Sequence, residues 1–276
     1  MKYLYFFVLL FIAFVCKGQP GSAYTELNLD SIFREPGTFV LYDYQRDHYE
    51  IYNPAMAEKE YAVHSTSKIF WAIIGLEEGF IQGGNDITPW DSIRYPRQDG
   101  WPNGWTQDQS VISALGYSVN WYFIELLKKM TPEMIEKYLN RLDYKAGYKV
   151  EGVHYFGLTN TIKKSAMAQV DFLKRLYFND AKLASETLGI IKQGLLRRQT
   201  SEYVLYSKTG LGPVDNNNGI GWYIGFVEKG DDLYFFALNV IHPDEMMAAK
   251  LRIDYGKRVL NAMKIINGDF LRQKVE

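Results

Sequence analysis

Apolar and polar positions recur with recognisable periods along most of the chain. Over residues 37–52 the pattern predicts two short strands. Phe39 and Leu41 face one way, and Val40, Tyr42 and Tyr44 the other, so the first strand is covered on both sides, with Asp43 the exception. The polar residues 45–47 turn the chain into a second strand over 49–52, giving a β-hairpin. A helical period follows: Ile69, Ala72, Ile73 and Leu76 share one face of a helix predicted over 64–81, closing near Gly79. Residues 83–109 carry Pro89, Pro96, Pro102 and three of the six tryptophans, and read as a long loop. Short helices over 109–115 and 121–130 flank 116–120. Thr131 as N-cap and Pro132 in the first turn start another, with Met134, Ile135, Tyr138 and Leu139 inward. Helices are predicted again over 165–178 and 185–196. From Glu202 the period drops to two, predicting strands over 203–211, 220–228 and 233–241, the last two joined at Gly230-Asp231-Asp232. An amphipathic helix over 243–267 closes the pattern.

Strands near both ends with helices between them predict an α+β fold, an antiparallel sheet flanked by helices with an inserted all-helical lobe. Residues 19–276 then form a single domain, its sheet lobe from 19–62 and 197–276 and its helical lobe from 63–196. The cleft between two such lobes is a favoured place for a small-molecule site. Residues 1–18 read as a secretory signal: Lys2, an apolar run over 3–15, and Gly18 before a cut ahead of Gln19. The run falls short of the roughly 20 apolar residues that span a bilayer. Export to the periplasm or medium is the expectation, with membrane contact only through this segment. Cys16, the only cysteine, is a poor lipoprotein site because Phe14-Val15 precede it.

Composition narrows the function. Of 276 residues, 47% are hydrophobic and 23% charged, which excludes disordered, collagen-like and coiled-coil chains. Lys+Arg number 31 against 32 Asp+Glu, a net charge of -1, so there is no basic footprint for a nucleic acid. The four histidines do not stand at ligand spacing, so no metal site is expected, and no phosphate-binding or dinucleotide fingerprint occurs.

Three short segments carry candidate chemistry. In Ser65-Thr66-Ser67-Lys68, positions i and i+3 share a helix face, so the Ser65 hydroxyl and the Lys68 amine can meet. A serine is a poor nucleophile until a base takes its proton, and a lysine can be that base once burial depresses its pKa. Taken alone, the motif fits an N-cap serine and a solvated lysine equally well. Ser118-Val119-Asn120 lies between two predicted helices; Ser118 either relays a proton or caps a helix. Lys208-Thr209-Gly210 falls inside a predicted strand, which either offers backbone N–H groups to an oxyanion beside carboxylate-holding side chains or is a charged edge. His64 neighbours Ser65, but adjacent helical positions do not face each other, so it reads as structural. The order S-x-x-K, S-x-N, K-T-G is close to that of class A β-lactamases and penicillin-binding proteins.

With these motifs the chain resembles class D (oxacillinase-type) serine β-lactamases and the related antibiotic-sensor domains over roughly residues 35–265. Trp90-Asp91, Trp105 with Asp108, Ser113-Ala114, residues 169–173 and residues 221–228 add to the likeness. The resemblance implies a β-lactam as small-molecule ligand, acylating Ser65. It implies Lys68 as general base, N-carboxylated by carbon dioxide in that family and otherwise without a cofactor, and Ser118 as proton relay. It also implies Lys208, Thr209 and Arg252 on the substrate carboxylate, with Lys250 the alternative to Arg252. The backbone N–H groups of Ser65 and of Leu211, beside Gly210, would form an oxyanion hole. Three features depart from the family pattern. Its Tyr-Gly-Asn is Tyr144-Lys145-Ala146 here, no tryptophan stands near His154-Tyr155-Phe156-Gly157, and Asn120 replaces an apolar residue. The leading expectation is an exported serine β-lactamase. The alternatives are a penicillin-binding or sensor domain acylated without efficient turnover, and a scaffold without catalysis.

Overall fold

The computed structural model of the chain describes residues 24–144 and 162–267. The expected signal segment with Cys16, the pair Lys145-Ala146 and the stretch around His154 lie outside them.

The chain runs through β1 (Tyr24–Glu26), β2 (Gly37–Asp43), β3 (His48–Tyr52), α1 (Pro54–Ala57) and β4 (Tyr61–Ala62). A 3-10 turn over His64–Ser67 leads into α2 (Lys68–Glu77). The long loop follows, with one 3-10 turn at Asn103–Trp105, then α3 (Val111–Tyr117), α4 (Asn120–Leu127) and α5 (Pro132–Arg141). The second half holds β5 (Lys163–Lys164), α6 (Ala166–Tyr177), α7 (Ser185–Leu195), β6 (Leu196–Gln199), β7 (Val204–Pro213), β8 (Gly219–Lys229), β9 (Asp232–His242) and α8 (Glu245–Ala262).

Seven strands make one sheet in the order β1-β3-β2-β9-β8-β7-β6, and β4 pairs with β5 separately. All neighbours in the main sheet are antiparallel except β1, which runs parallel to β3 with Tyr24 opposite Tyr49. The sheet is therefore antiparallel with one parallel edge strand, a correction to the expected pattern. The β2 residues alternate as predicted: Val40 and Tyr42 join the core beneath the helical elements, while Phe39 and Leu41 join a second core beneath α8. The exception, Asp43, is nearly buried and is paired with Arg46 at 2.6 Å in the turn that follows. A hairpin also joins β8 and β9, where Gly230 takes the left-handed φ of 58° in the two-residue turn between them.

Helix ends follow local chemistry. Thr131 accepts from the Met134 amide and Ser165 from the Ala168 amide, each an N-cap. Asp244 caps α8 by accepting from the Met246 and Met247 amides, which sets its start at Glu245; its other end, at Ala262, also falls short of the predicted 243–267. The helix expected from residue 64 begins as a 3-10 turn and becomes α-helical only at Lys68. The helix expected at 109–115 starts at Val111, where Ser110 forms a capping box with Ser113, and runs to Tyr117, where the left-handed Ser118 ends it. Strand β7 lies inside the sheet and β6 is the edge, so Lys208 does not sit on an exposed edge. Although α6 falls within the chain segment of the helical lobe, it packs on the sheet against β2, β8 and β9.

Candidate active site

The turn bearing Ser65 is held from four directions. Trp222 of β8 donates its indole N–H to the Ala62 carbonyl at 2.8 Å, and the Val63 amide bonds the Ile162 carbonyl at 3.0 Å. Thr66 donates to the Val63 carbonyl at 2.8 Å and accepts from Gln169 of α6 at 2.9 Å. Ser67 donates to the His64 carbonyl at 2.7 Å and accepts from the Trp71 indole at 3.1 Å. In a 3-10 turn, side chains three residues apart eclipse rather than stagger. Ser65 and Lys68 are therefore brought closer than ordinary helix geometry requires, with Lys68 Nζ 3.1 Å from Ser65 Oγ.

Lys68 is fully buried, and desolvation pushes its amine down to about 7, where neutral and charged forms coexist at neutral pH. Besides Ser65, Nζ reaches the Ser118 carbonyl at 2.7 Å, Ser118 Oγ at 3.2 Å and Asn120 Oδ1 at 2.5 Å. The Trp105 and Phe123 rings stand 5.9 and 5.7 Å from it. Four oxygen acceptors thus surround a group with at most three protons to give. An N-carboxylated lysine would place a carboxylate here, and that needs donors. Of the four oxygens around Nζ, the Ser65 and Ser118 hydroxyls can donate as well as accept, the Ser118 carbonyl only accepts, and the two aromatic faces offer no hydrogen bond to a carboxylate oxygen.

Ser118 caps the end of α3, not the start of α4, and holds the left-handed conformation with φ 59°. That turn aims both its carbonyl and its hydroxyl at Lys68. On its other side Lys208 Nζ donates to Ser118 Oγ at 2.8 Å and to the Thr209 carbonyl at 2.9 Å. Lys208 is 1% exposed, and its amine lies well below the ordinary lysine value. Burial is the main cause; the nearby Lys68, Arg197 and Arg252 cations add to it. One hydroxyl therefore bridges two buried amines.

Gly210 and Gly212 let β7 press against the Ser65 turn. A methyl on Gly210 would lie 2.7 Å from the Val63 carbonyl oxygen, and one on Gly212 2.3 Å from His64 Nδ1. The space a side chain at position 210 would need is taken by the Ser65 turn. Thr209 and Leu211 are half-buried on the same strand. Arg252 of α8 donates to the Gly210 carbonyl, and its buried guanidinium is lowered to about 10 by desolvation. Lys250 is exposed, so the structure brings Arg252 and not Lys250 to β7. Of the residues singled out in the sequence, Ser65, Lys68, Ser118 and Lys208 are joined by hydrogen bonds, Gly210 abuts the Ser65 turn and accepts from Arg252, and Thr209 and Leu211 flank Gly210 on β7. Asn120, Trp105 and Phe123 join them, and of these only the Asn120 substitution was visible as a departure.

A family profile described as the penicillin-binding-protein transpeptidase domain matches residues 37–261. The methicillin resistance mecR1 protein of Staphylococcus aureus is 28% identical over 252 residues, 91% of this chain and 42% of that protein. The chain thus spans less than half the length of that relative. β-Lactamase OXA-19 of Pseudomonas aeruginosa is 33% identical over 234 residues, covering 84% of this chain and 86% of that one. Among solved structures, the C-terminal domain of the Bacillus licheniformis BlaR penicillin-receptor aligns with a TM-score of 0.81 at 27% identity, over 90% of this chain and all of that one. A class D β-lactamase from Sebaldella termitidis gives the same TM-score at 28% identity, over 89% of this chain and 100% of that one.

Proposed function

Because the chain belongs to the penicillin-binding-protein transpeptidase domain family, we propose that it opens β-lactams through an acyl-enzyme on Ser65, with Lys68 as an unmodified general base. One observation carries the reading: Ser65, Lys68, Ser118 and Lys208 are linked by contacts of 3.2 Å or less in a buried site. Neutral Lys68 takes the Ser65 proton as Oγ attacks the lactam carbonyl. The amide C–N bond breaks, and the proton passes from Lys68 through Ser118 Oγ to the leaving nitrogen. The N–H groups of Ser65 and Leu211 hold the carbonyl oxygen while it carries charge. Lys208, Thr209 and Arg252 take the substrate carboxylate, which supplies the negative charge that this cationic crevice lacks. Water then releases the acid, with Lys68 again as base, and this second half is the slower one.

Slow release rests on Asn120, whose carboxamide oxygen favours the protonated form of Lys68. Carried to its limit, the same contact supports the second reading, a sensor-like domain that stays acylated. The sequence similarity to a β-lactamase at 33% identity supports turnover. For location, Lys2 and the apolar run after it support export. Among the described residues no helix is long and apolar enough to cross a membrane.

Mixing the protein with a chromogenic cephalosporin separates these outcomes. The expected trace is a burst of about one equivalent of opened ring per protein, followed by a slower linear phase. A burst with no linear phase establishes the sensor reading, and no absorbance change at all overturns both.

A further inference from the structure

His64 precedes the nucleophile and differs from what its position on a helix would give. Its φ is 47°, in the left-handed region, and only 4% of it is exposed. His is among the few side chains that tolerate this region, together with Asn and Asp. The ring does not face Ser65. It lies on Gly212 of β7, where an added methyl would come within 2.4 Å of both Nδ1 and Cε1. The imidazole also hydrogen-bonds the backbone of Pro213, one residue further on. Pro offers no N–H, so its carbonyl accepts. Nε2 is buried without a partner, which leaves Nδ1–H as the donor. Burial pushes the ring down to about 4, so it is neutral at physiological pH. Its own carbonyl accepts from Ser67.

One side chain therefore spans from the residue before Ser65 to the residues directly after Leu211. These are the two positions whose amides the proposed function assigns to the oxyanion hole, and the inference rests on that assignment. We infer that His64 is a positioning residue that sets the spacing between the Ser65 and Leu211 amides by wedging the nucleophile's turn against Gly212 and Pro213. A smaller residue would leave the ring's space beneath β7 empty and drop the tie to Pro213. Phe would fill the space but cannot donate. The effect belongs to the transition state, because the oxyanion exists only there, and not to substrate capture by Lys208 and Arg252.

The test compares wild type with His64→Ala, His64→Asn and Gly212→Ala. Each is first acylated by a β-lactam and the Ser65 adduct is verified by mass. Infrared difference spectra with a carbonyl-13C substrate then report how strongly the hole polarises the acyl carbonyl. His64→Ala is expected to move that stretch to higher wavenumber. It should also slow acylation by roughly 10- to 100-fold, below the 10²–10³ range for loss of a whole donor, with the pre-acylation Kd changed less than threefold. His64→Asn keeps the left-handed preference and should fall between. Gly212→Ala pushes the ring from the other side and should be impaired alone, yet recover in the His64→Ala background, where the clash is gone. Folded variants with wild-type stretch and acylation rate would overturn the role of His64 and leave the Ser65 reading intact. Absence of a Ser65 adduct in the wild type would overturn both.

Discussion

Replacing Lys68 with Ala is expected to cut the rate of Ser65 acylation by at least ~10³-fold, within the range for loss of a positioned general base. The argument is geometric before it is electrostatic. Nζ stands within hydrogen-bond reach of Ser65 Oγ, at 3.1 Å. The histidine beside Ser65 turns its ring towards Gly212 instead. Desolvation supplies the second half, lowering the amine to about 7. A base works when deprotonated, so acylation by the wild type should rise with pH, reach half its plateau near pH 7, and level off above. In Lys68→Ala that limb should vanish along with the rate. Stopped-flow acylation across pH 5–9, with circular dichroism to verify folding, reads both. A wild-type profile flat from pH 5 to 9 would remove Lys68 as the base.

The second large effect is expected at Asn120. Its Oδ1 accepts from Lys68 Nζ at 2.5 Å, and a hydrogen bond to a charged group contributes about 1.5–3 kcal/mol. That bond favours the ammonium, and 1.36 kcal/mol corresponds to one pKa unit. Asn120→Val removes it in a site that Ser65 and Ser118 continue to line. The base should then titrate about one unit lower, moving the acylation midpoint towards pH 6. Release of the acyl group, which needs neutral Lys68 a second time, should quicken by about fivefold at pH 6, as the neutral fraction rises from about a tenth to about a half. Added bicarbonate should change neither rate in the wild type, because the proposed base is the unmodified amine, whose protons the Ser118 carbonyl and the Asn120 carboxamide oxygen accept. Pre-steady-state kinetics with and without bicarbonate test this. A wild-type rate that climbs with bicarbonate would show that the lysine is carboxylated despite its surroundings.

Much of the fold was legible because its elements are locally determined. The 37–52 hairpin, the Thr131 and Ser165 caps and the three long strands each carry their period and punctuation in a few neighbouring residues. The parallel pairing of β1 was not legible, since three residues have no period and the pairing is fixed by β3. Strand β6 continues directly from the end of α7, and its pairing depends on β7 across a bulge between Leu196 and Arg198. In the site, motif order singled out Ser65, Lys68, Ser118 and Lys208, and the structure brings these four into hydrogen-bond contact. What it could not supply was conformation. The 3-10 turn at His64 packs against β7 and α6, both distant in sequence, while the left-handed Ser118 ends α3 locally, its amide on the Ala114 carbonyl. The choice of Arg252 over Lys250 was in reach. Gly221 meets Ala248 and Arg252, and Gly256 meets Tyr223. Positions 248, 252 and 256, spaced by four, therefore face the sheet, which turns Lys250 away.

The central claim is that Ser65 is the atom-level point of attack, and peptide mapping measures it most directly. Protein quenched in the burst phase with a cephalosporin should yield one modified peptide. Fragmentation should place the added mass on Ser65, and Ser65→Ala should carry none. Mass on another residue, or an unmodified peptide after ring opening, would contradict the account.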